Sequence, residues 1–395
     1  MSTDPVVFLS YARTPMGGMQ GELSDVSATE LGAVAVKAAV ERAGVDGDAI
    51  ERIYMGNVLS AGLGQAPARQ AALKAGLPKS VEATTLNKMC GSGMQAAIMG
   101  AEALAAGSVD LLVAGGMESM TNAPYVLKKH RGGARLGHDV AYDHMFLDGL
   151  EDAYEPGRAM GSFAQVTADE YQLTREAQDA FAIASLTRSQ EAQKTGAFAK
   201  EIVPVTVKTR KGEVVISEDE QPKTGKADKI PTLKAAFAKD GTITAANASS
   251  ISDGAAALVM TRQSVADKLG RKPVARLVAH SAFAHEPALF TTAPVGALKK
   301  LFEKTGWSVA DVDLFEINEA FACVTMFAMQ DLNIPHEKVN VNGGACALGH
   351  PIGASGARII ASLIAALENR GGKRGVAALC IGGGEATAVA VELID

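Results

Sequence analysis

The sequence predicts an α/β protein made of two related halves, with a loop domain inserted between them. Three pairs of segments support this duplication. "SGMQAAIMGAEAL" at 92–104 resembles "SGARIIASLIAAL" at 355–367, "VDLLVAGGME" ending at Glu118 resembles "GVAALCIGGGE" ending at Glu385, and "ERIYMGNVLS" resembles "VDLFEINEAF". The pairs keep their order along the chain, as the two copies of an internal repeat do. We therefore expect the same set of strands and helices in each half.

Changes in composition give the predicted boundaries. Residues 1–120 form the N-terminal half, to which residues 249–270 return, and residues 271–395 form the C-terminal half. Residues 121–248 are polar and irregular and include stretches such as "KKHRGGARLGH". Segments of this length without clear periodicity are usually functional loops. We predict that they form a separate loop domain.

Local signals place several elements. Ser27 and Glu30 have the spacing of a capping box before an apolar helix that Gly44 ends. Residues 81–86 are short, β-branched and apolar, which predicts a strand. Residues 94–104 carry Met, Ala, Ile and Leu at helical spacing, which predicts a buried helix.

Composition excludes several classes of function. The net charge of −6 argues against a surface that binds nucleic acid. No stretch is long and apolar enough for a membrane span, and the N-terminus resembles neither a signal nor a transit peptide. Four cysteines in 395 residues do not make a disulfide framework. We expect a protein of a reducing compartment, the cytoplasm.

Cys90 stands at the predicted junction of strand and helix and is followed by Gly91, Ser92 and Gly93. A tight turn of this kind exposes a side chain, and a helix N-terminus lowers the pKa of a nearby thiol, so the position suits a nucleophile. A small buried core residue is an equally good interpretation, because free cysteines are among the most buried residues.

His350 lies in the corresponding segment of the second half, "VNGGACALGHPIGASGAR". A lone histidine is usually structural, but a loop this rich in glycine favours a functional one. If equivalent loops of related halves meet, Cys90 and His350 come together as a nucleophile and its base. Cys346 and His350 alone do not make a zinc site, which needs three or four ligands, so we predict no metal.

Two further candidates follow strands of the second half. Cys380 ends an apolar strand, where it is either a core residue or a second functional thiol at the carboxyl edge of the sheet. The glycines after it, beginning with Gly382, offer backbone N–H groups for an oxyanion site. Asn318 lies between a strand and a helix, where it either caps the helix or holds a water or a carbonyl group.

Taken together, these motifs resemble those of the thiolases, the group of acetyl-CoA C-acetyltransferases and 3-ketoacyl-CoA thiolases. "NKMCGSGMQA", "GGMESM", "NEAFA", "NGGACALGHPIGASGAR" and "CIGGGEA" carry the likeness, which runs from end to end. The resemblance implies two five-stranded α/β halves in α-β-α-β-α layers, with a loop domain. It also implies a homodimer or homotetramer that uses CoA thioesters as substrates and has no other cofactor.

The resemblance assigns a role to each matching position. Cys90 would be the acylated nucleophile, and His350 would take its proton and then help to form an oxyanion hole. Asn318 would hold a water that completes this hole. Cys380 would be the acid/base thiol, and the N–H groups of Gly382 and Cys90 would form a second oxyanion hole.

Ser249 matches a serine that contacts the pantetheine arm of CoA. The implied reaction joins two acetyl-CoA molecules to acetoacetyl-CoA and CoA, or thiolyses a 3-ketoacyl-CoA, through an acyl-Cys90 intermediate. A thiolate suits this reaction because it is both a soft nucleophile and a good leaving group.

The chain departs from the family pattern in places. Short-chain members commonly place His before the Met-Gly of the loop domain, where this chain has Ala159, and this weakens the case for acetoacetyl-CoA as the sole substrate. The basic contact to the CoA adenylate falls near Lys223, Lys226 or Lys229, and no one of them is favoured. The basic run 128–135 lies where tetrameric members project an assembly loop, although a solvated surface explains it equally well.

Two rival functions remain. A β-ketoacyl synthase would use Cys with two histidines, but Cys380 occupies the position of the second one. A non-catalytic CoA- or lipid-binding protein of the same fold would not need Cys90, Asn318, His350 and Cys380 together.

Overall fold

A computed structural model describes residues 4–210 and 212–394. The first three residues of the N-terminus, which the prediction about targeting used, lie outside the described residues. The strands are β1 (Val6–Arg13), β2 (Gly17–Gly18), β3 (Arg52–Gly56), β4 (Glu82–Leu86), β5 (Leu111–Ser119), β6 (Tyr125–Val126), β7 (Tyr142–Asp143), β8 (Val205–Thr209), β9 (Gly212–Ile216), β10 (Ser252–Arg262), β11 (Ala275–Ala284), β12 (Leu314–Ile317), β13 (Arg374–Ile381) and β14 (Glu385–Leu393). The helices are α1 (Ala28–Ala43), α2 (Pro67–Lys74), α3 (Ser92–Ala105), α4 (Met160–Glu170), α5 (Arg175–Thr195), α6 (Glu220–Thr224), α7 (Gln263–Lys268), α8 (Ala293–Thr305), α9 (Ala322–Leu332), α10 (Ala345–Leu348) and α11 (Ile352–Arg370).

The local signals in the sequence mark real element ends. Ser27 caps α1 in a complete capping box with Glu30, and Gly44 ends the helix with a φ of 64°. The predicted strand and helix around Cys90 are β4 and α3. No helix among the described residues is long and apolar enough to cross a membrane.

The large sheet shows the duplication. Its strand order is β12-β13-β14-β11-β1-β10-β5-β3-β4, and β1 pairs with β11 at the centre. On one side of this joint follow β10, β5, β3 and β4, and on the other β14, β13 and β12. A parallel bridge between Val339 and Phe315 stands at the position that corresponds to β4. The two halves therefore have the same strand order, counted outward from the joint.

Helices cover the sheet in layers. Helix α1 packs on strands of the N-terminal half and α8 on strands of the C-terminal half, each over its own apolar core. Helices α3 and α11 lie between the halves and contact strands of both, in a third core. This gives the α-β-α-β-α layering that the family resemblance implied.

The register of the strands corrects one part of the internal alignment. Asn57 follows Gly56, which pairs with Gly116, whereas Asn318 follows Ile317, which pairs with Ala378. Glu118 lies two residues beyond Gly116, and Cys380 lies two residues beyond Ala378. Glu118 therefore corresponds to Cys380, whereas the sequence match aligned it with Glu385. The match was wrong because the glycine turn 382–384 shifts a similar Gly-Gly-x-Glu pattern along the chain.

Residues 121–248 are more regular than predicted. Beside loops they contain helix α4 and two small hairpins, β6–β7 and β8–β9. They also contain α5, which the sequence predicts over residues 175–194 from the capping residue Thr174 and the terminating Gly196. No clear signal in the sequence marks α4, because the buried face of this helix includes the polar Gln165 and Thr167 while Val166 is exposed. The boundaries of the loop domain at 121 and 248 stay a prediction.

Candidate active site

The N-terminal ends of α3 and α11 meet between the two halves. A Cβ on Gly93 would lie 2.7 Å from the backbone nitrogen of Ala357, and one on Gly356 would clash with the backbone of Met94. Only glycine permits this backbone approach. Because the contacts are reciprocal, they confirm the repeat that aligns "SGMQ" with "SGAR". The crossing brings the Cys90 turn next to the loop that carries His350.

These two turns open on one cavity of about 510 Å³. Four of the predicted catalytic residues, Cys90, His350, Cys380 and Gly382, line it together with Ser249. Asn318 does not line the cavity. Most of the remaining wall is apolar and consists of Met89, Met145, Phe146, Leu150, Ala159, Met160, Phe237, Phe290, Phe321 and Ile352, among others.

Cys90 is held by a strained turn. Met89, the residue before it, has a φ of 46°, and its N–H is bonded to the side chain of Asn87 at 2.8 Å. The backbone N–H groups of Gly382 and Cys90 act to lower the pKa of the Cys90 thiol. Burial nevertheless raises the pKa of the Cys90 thiol to about 11. The expectation that the helix N-terminus lowers this pKa was therefore wrong, because desolvation of the thiolate outweighs the two N–H groups.

His350 is neutral and oriented as a base. Its Nδ1 lies 2.6 Å from the Ser355 hydroxyl, which itself donates to the carbonyl of Pro351 at 3.0 Å. The hydroxyl thus accepts from Nδ1–H, and this leaves a lone pair on Nε2. Nε2 is buried without a hydrogen-bond partner among the described residues. Burial and the charge of Arg358 lower the pKa of His350 to about 3.

Asn318 lies behind the His350 ring. Its Nδ2 is 3.5 Å from His350 Nδ1, and its Oδ1 accepts from Arg358 Nη2 at 3.3 Å. The residue follows β12 directly, and its N–H donates to Ala378 of the neighbouring strand at 3.0 Å. The sheet therefore fixes its backbone, while two side chains contact its carboxamide.

Cys380 completes the group of thiols. It lies on β13 one residue before its end and is 1% exposed. Burial raises its pKa well above the ordinary value, and the proximity of Cys90 raises it further. Cys380 is therefore a protonated thiol, able to act as an acid. Cys323, predicted to be a core residue, is 0% exposed on α9 and outside the cavity wall.

Sequence reasoning missed most of the apolar wall. One part is a π-helix, Phe146–Leu150, a form that often occurs at functional sites. Another is Phe237, which packs edge-on against Phe321 with ring centroids 6.0 Å apart. These residues come from scattered parts of the loop region, and no local pattern marks them.

The lysines considered for CoA lie in two different surroundings. Lys223 forms an ion pair with Glu22 at 2.7 Å. Lys226 and Lys229 line a second cavity of about 390 Å³, which shares Ala245 with the first. Among residues 4–210 and 212–394 no group of three or more His, Cys, Asp or Glu side chains could hold a metal ion.

Comparison with known proteins identifies the class. The family model for the thiolase N-terminal domain matches residues 6–264, and that for the thiolase C-terminal domain matches residues 271–393. The chain therefore belongs to the thiolase family. It is a thiolase-type acyltransferase.

Individual relatives agree over their whole length. An acetyl-CoA acetyltransferase of Schizosaccharomyces pombe is 45% identical, with 100% of both chains covered, and acetyl-CoA acetyltransferase 2 of Arabidopsis thaliana is 49% identical, with 98% of this chain and 97% of the relative covered. The crystal structure of Acat5 thiolase from Ascaris suum in complex with coenzyme A is 44% identical, with a TM-score of 0.94, and covers 99% of this chain and 100% of its own. The Bacillus anthracis acetyl-CoA acetyltransferase is 40% identical, with a TM-score of 0.96 and 99% of both chains covered.

Proposed function

We propose that this protein condenses two acetyl-CoA molecules to acetoacetyl-CoA and CoA, and thiolyses 3-ketoacyl-CoA in the reverse direction, through an acyl group on Cys90. The observation that carries the proposal is the convergence of Cys90, a neutral His350 and a protonated Cys380 on one apolar cavity. The relatives named acetyl-CoA acetyltransferase support the choice of acetyl-CoA.

The first half of thiolysis uses all three groups. His350 Nε2 takes the Cys90 proton, and the thiolate attacks the C3 carbonyl of the 3-ketoacyl-CoA. The C2–C3 bond breaks, the acyl group stays on Cys90, and the electron pair leaves as the enolate of acetyl-CoA. Cys380 gives its proton to the enolate carbon and becomes a thiolate. Its high pKa suits this acid role, since the thiol stays protonated until a base as strong as an enolate appears.

The second half regenerates the enzyme. The Cys380 thiolate takes the proton of an incoming CoA thiol, and the CoA sulfur attacks the acyl carbon. The bond to Cys90 breaks, and the Cys90 sulfur recovers its proton from His350. Condensation runs through the same steps in reverse.

Two sets of donors meet the developing negative charges. The N–H groups of Cys90 and Gly382, both of which lower the pKa of the Cys90 thiol, would donate to the oxygen of an acyl group on the sulfur. His350, assisted by a water bound to Asn318, would meet the enolate oxygen of the other substrate. Preorganised donors of this kind are usually the largest contribution to such catalysis.

The substrates bind through their CoA part. The Ascaris suum relative is solved with coenzyme A, which supports CoA thioesters as substrates here. Ser249, which lines the cavity, would contact the pantetheine arm, and its backbone is fixed by a hydrogen bond to Ala320 at 2.9 Å. No cofactor besides the CoA thioesters enters the proposed reaction.

Incubation with acetyl-CoA tests the intermediate. We expect an acetyl group on the tryptic peptide of Cys90, found by mass spectrometry, and loss of turnover in Cys90→Ala. Cys323→Ala is the matched control, since this thiol lies outside the cavity wall. This variant should keep both the acetylation of Cys90 and the turnover. An unmodified Cys90 peptide together with unchanged turnover in Cys90→Ala would refute the proposal.

We infer that the protein is a homo-oligomer, a dimer or a tetramer. Strand β4 ends the large sheet, and such an edge can pair with a second chain. The hairpin segment around the basic run carries Leu136, which is 98% exposed. Light scattering should give a multiple of 40.8 kDa, and Leu136→Lys should lower the mass if this segment joins dimers into a tetramer. A monomer would contradict the inference.

We also place the protein in the cytoplasm. The proposed chemistry needs Cys90 and Cys380 as free thiols, which a reducing compartment preserves. Fractionation of cells that express the protein, with an antibody against it, tests this placement.

A further inference from the structure

Arg358 is a buried cation that contacts the proposed catalytic machinery from behind. It lies on α11 and is 1% exposed. Its Nη2 donates to Asn318 Oδ1 at 3.3 Å, and its Nη1 lies 3.5 Å from a carboxylate oxygen of Glu316. Glu316, Arg358, Asn318 and His350 thus form a continuous chain of contacts that ends at the cavity.

The contact with Arg358 decides which way the Asn318 carboxamide points. A carboxamide has an acceptor end and a donor end, whereas a guanidinium can only donate. The oxygen of Asn318 therefore faces Arg358, and its Nδ2 faces the side of His350, 3.5 Å from Nδ1. In the opposite orientation two donors would meet at Arg358, and this contact decides the orientation, because Nδ1–H of His350 already donates to Ser355.

The stability of the fold does not by itself explain why a charged arginine is buried at position 358. Its Nε and Nη1 make no hydrogen bond among the described residues. A buried ion pair with incomplete hydrogen bonding is often no more stable than apolar side chains of the same volume. Arg13, the other large arginine in the core, differs in this respect, because Glu201 and Asp219 both bind it at 2.6–3.0 Å.

We propose that Arg358 is a positioning residue that holds the Asn318 carboxamide with its N–H group toward His350, and that Glu316 holds Arg358 in turn. The proposal rests on the proposed function, in which Asn318 acts in the carbon–carbon step through a bound water. Arg358 itself touches neither the substrate nor the cavity. Burial lowers the pKa of His350, and the positive charge of Arg358 lowers it further.

Separate measurement of the two half-reactions tests this role. The variants are Arg358→Met combined with Glu316→Gln, which leaves no buried charge unpaired, and Arg358→Lys, which keeps the charge beside Glu316. We expect the condensation rate of the double variant to fall about tenfold, less than the ~10²–10³ loss on removal of a direct oxyanion donor. The rate of Cys90 acetylation by acetyl-CoA should change less than threefold, and Arg358→Lys should recover part of the loss.

Combination with Asn318→Ala distinguishes positioning from general damage. If Arg358 acts through Asn318, its substitution has no further effect on condensation in the Asn318→Ala background. Additive losses, equal losses in both half-reactions, or an unchanged condensation rate would each overturn the proposal. If the double variant does not fold, Arg358→Lys carries the same test, with a smaller expected fall in the condensation rate and again no further effect in the Asn318→Ala background.

A matched control separates stability from catalysis. Arg13→Lys weakens an equally buried arginine outside the cavity, and we expect it to lower the thermal midpoint while the ratio of condensation to acetylation stays that of the unsubstituted protein. A failure of the proposed function would appear differently, since Cys90 would then remain unacetylated in the unsubstituted protein as well.

Discussion

Gly93 of the first half and Ala357 of the second touch through their backbones, and this contact assembles the site. A Cβ on Gly93 would stand 2.7 Å from the nitrogen of Ala357, closer than real side-chain contacts allow. Because α3 follows the Cys90 turn and α11 follows the His350 loop, the distance between the helices sets the distance between nucleophile and base. The glycines around Cys90 serve this approach as much as the turn itself.

Gly93→Ala should therefore damage both stability and catalysis. The new methyl group meets backbone, which cannot rotate away, and overpacking of this kind costs about 1–3 kcal/mol of the free energy of unfolding. We expect turnover to fall as well, because α3 and α11 must separate. Denaturant unfolding and a thiolysis assay measure the two effects.

Gly100→Ala on the same helix is the control. Its Cβ would meet the terminal methyl group of Leu112 at 2.9 Å, and this side chain can move aside. A smaller loss of stability and near-normal turnover are expected. Equal effects of the two substitutions would show that the backbone contact has no special importance.

Cys380→Ser should separate the two half-reactions. A hydroxyl is a far weaker acid than a thiol, so it cannot supply the proton that the enolate carbon needs. We expect Cys90 to be acetylated still by acetyl-CoA, while the rate of carbon–carbon bond exchange falls by about 10²-fold or more. Mass spectrometry and acetoacetyl-CoA thiolysis measure the two steps. Parallel loss of both would show that Cys380 does not serve as the proton shuttle.

The reactivity of Cys90 should rise with pH throughout the neutral range. Its pKa is raised to about 11, so the reactive thiolate is a minor species at pH 7 and increases as protons are removed. His350, with a pKa of about 3, does not titrate in this range and cannot flatten the curve. The rate at which iodoacetamide alkylates Cys90 in the folded protein, followed by mass spectrometry of the tryptic peptide, should grow about tenfold per pH unit between pH 7 and 9. A constant rate across that range would instead indicate a preformed thiolate–imidazolium pair.

Ala159 should set part of the acyl-chain range. It lines the cavity beside Met160 and Phe290, so a larger side chain there removes space from the apolar wall. For Ala159→Phe we expect kcat/KM to fall more for longer 3-ketoacyl-CoA substrates than for acetoacetyl-CoA, by about tenfold or more, since each buried methylene contributes roughly 0.8 kcal/mol. Ala153→Phe, at an exposed position nearby, should leave the profile unchanged. A uniform loss across chain lengths would place Ala159 outside the acyl pocket.

The sequence by itself determined the parts of this protein that depend on interactions between residues close together in the chain. The capping box at Ser27, strand β4, helix α3 and the doubled strand–helix order follow from local propensity and apolar periodicity, which act between near neighbours along the chain. The family motifs likewise indicated Cys90, His350, Cys380 and Ser249, and the structure places all four on one cavity.

Tertiary structure alone decided the rest. The pKa of Cys90 was misjudged because the dipole of a helix is visible in sequence, whereas the burial that outweighs it is created by distant segments. The correspondence of Glu118 to Cys380 depends on strand register. The apolar wall combines a π-helix with phenylalanines from separate segments of the chain. No pattern in the mostly apolar helix α11 indicates a role for Arg358, since only the fold brings this residue to Asn318. Burial, register and long-range contact are properties of neighbours in space, which the order of residues in the chain does not state.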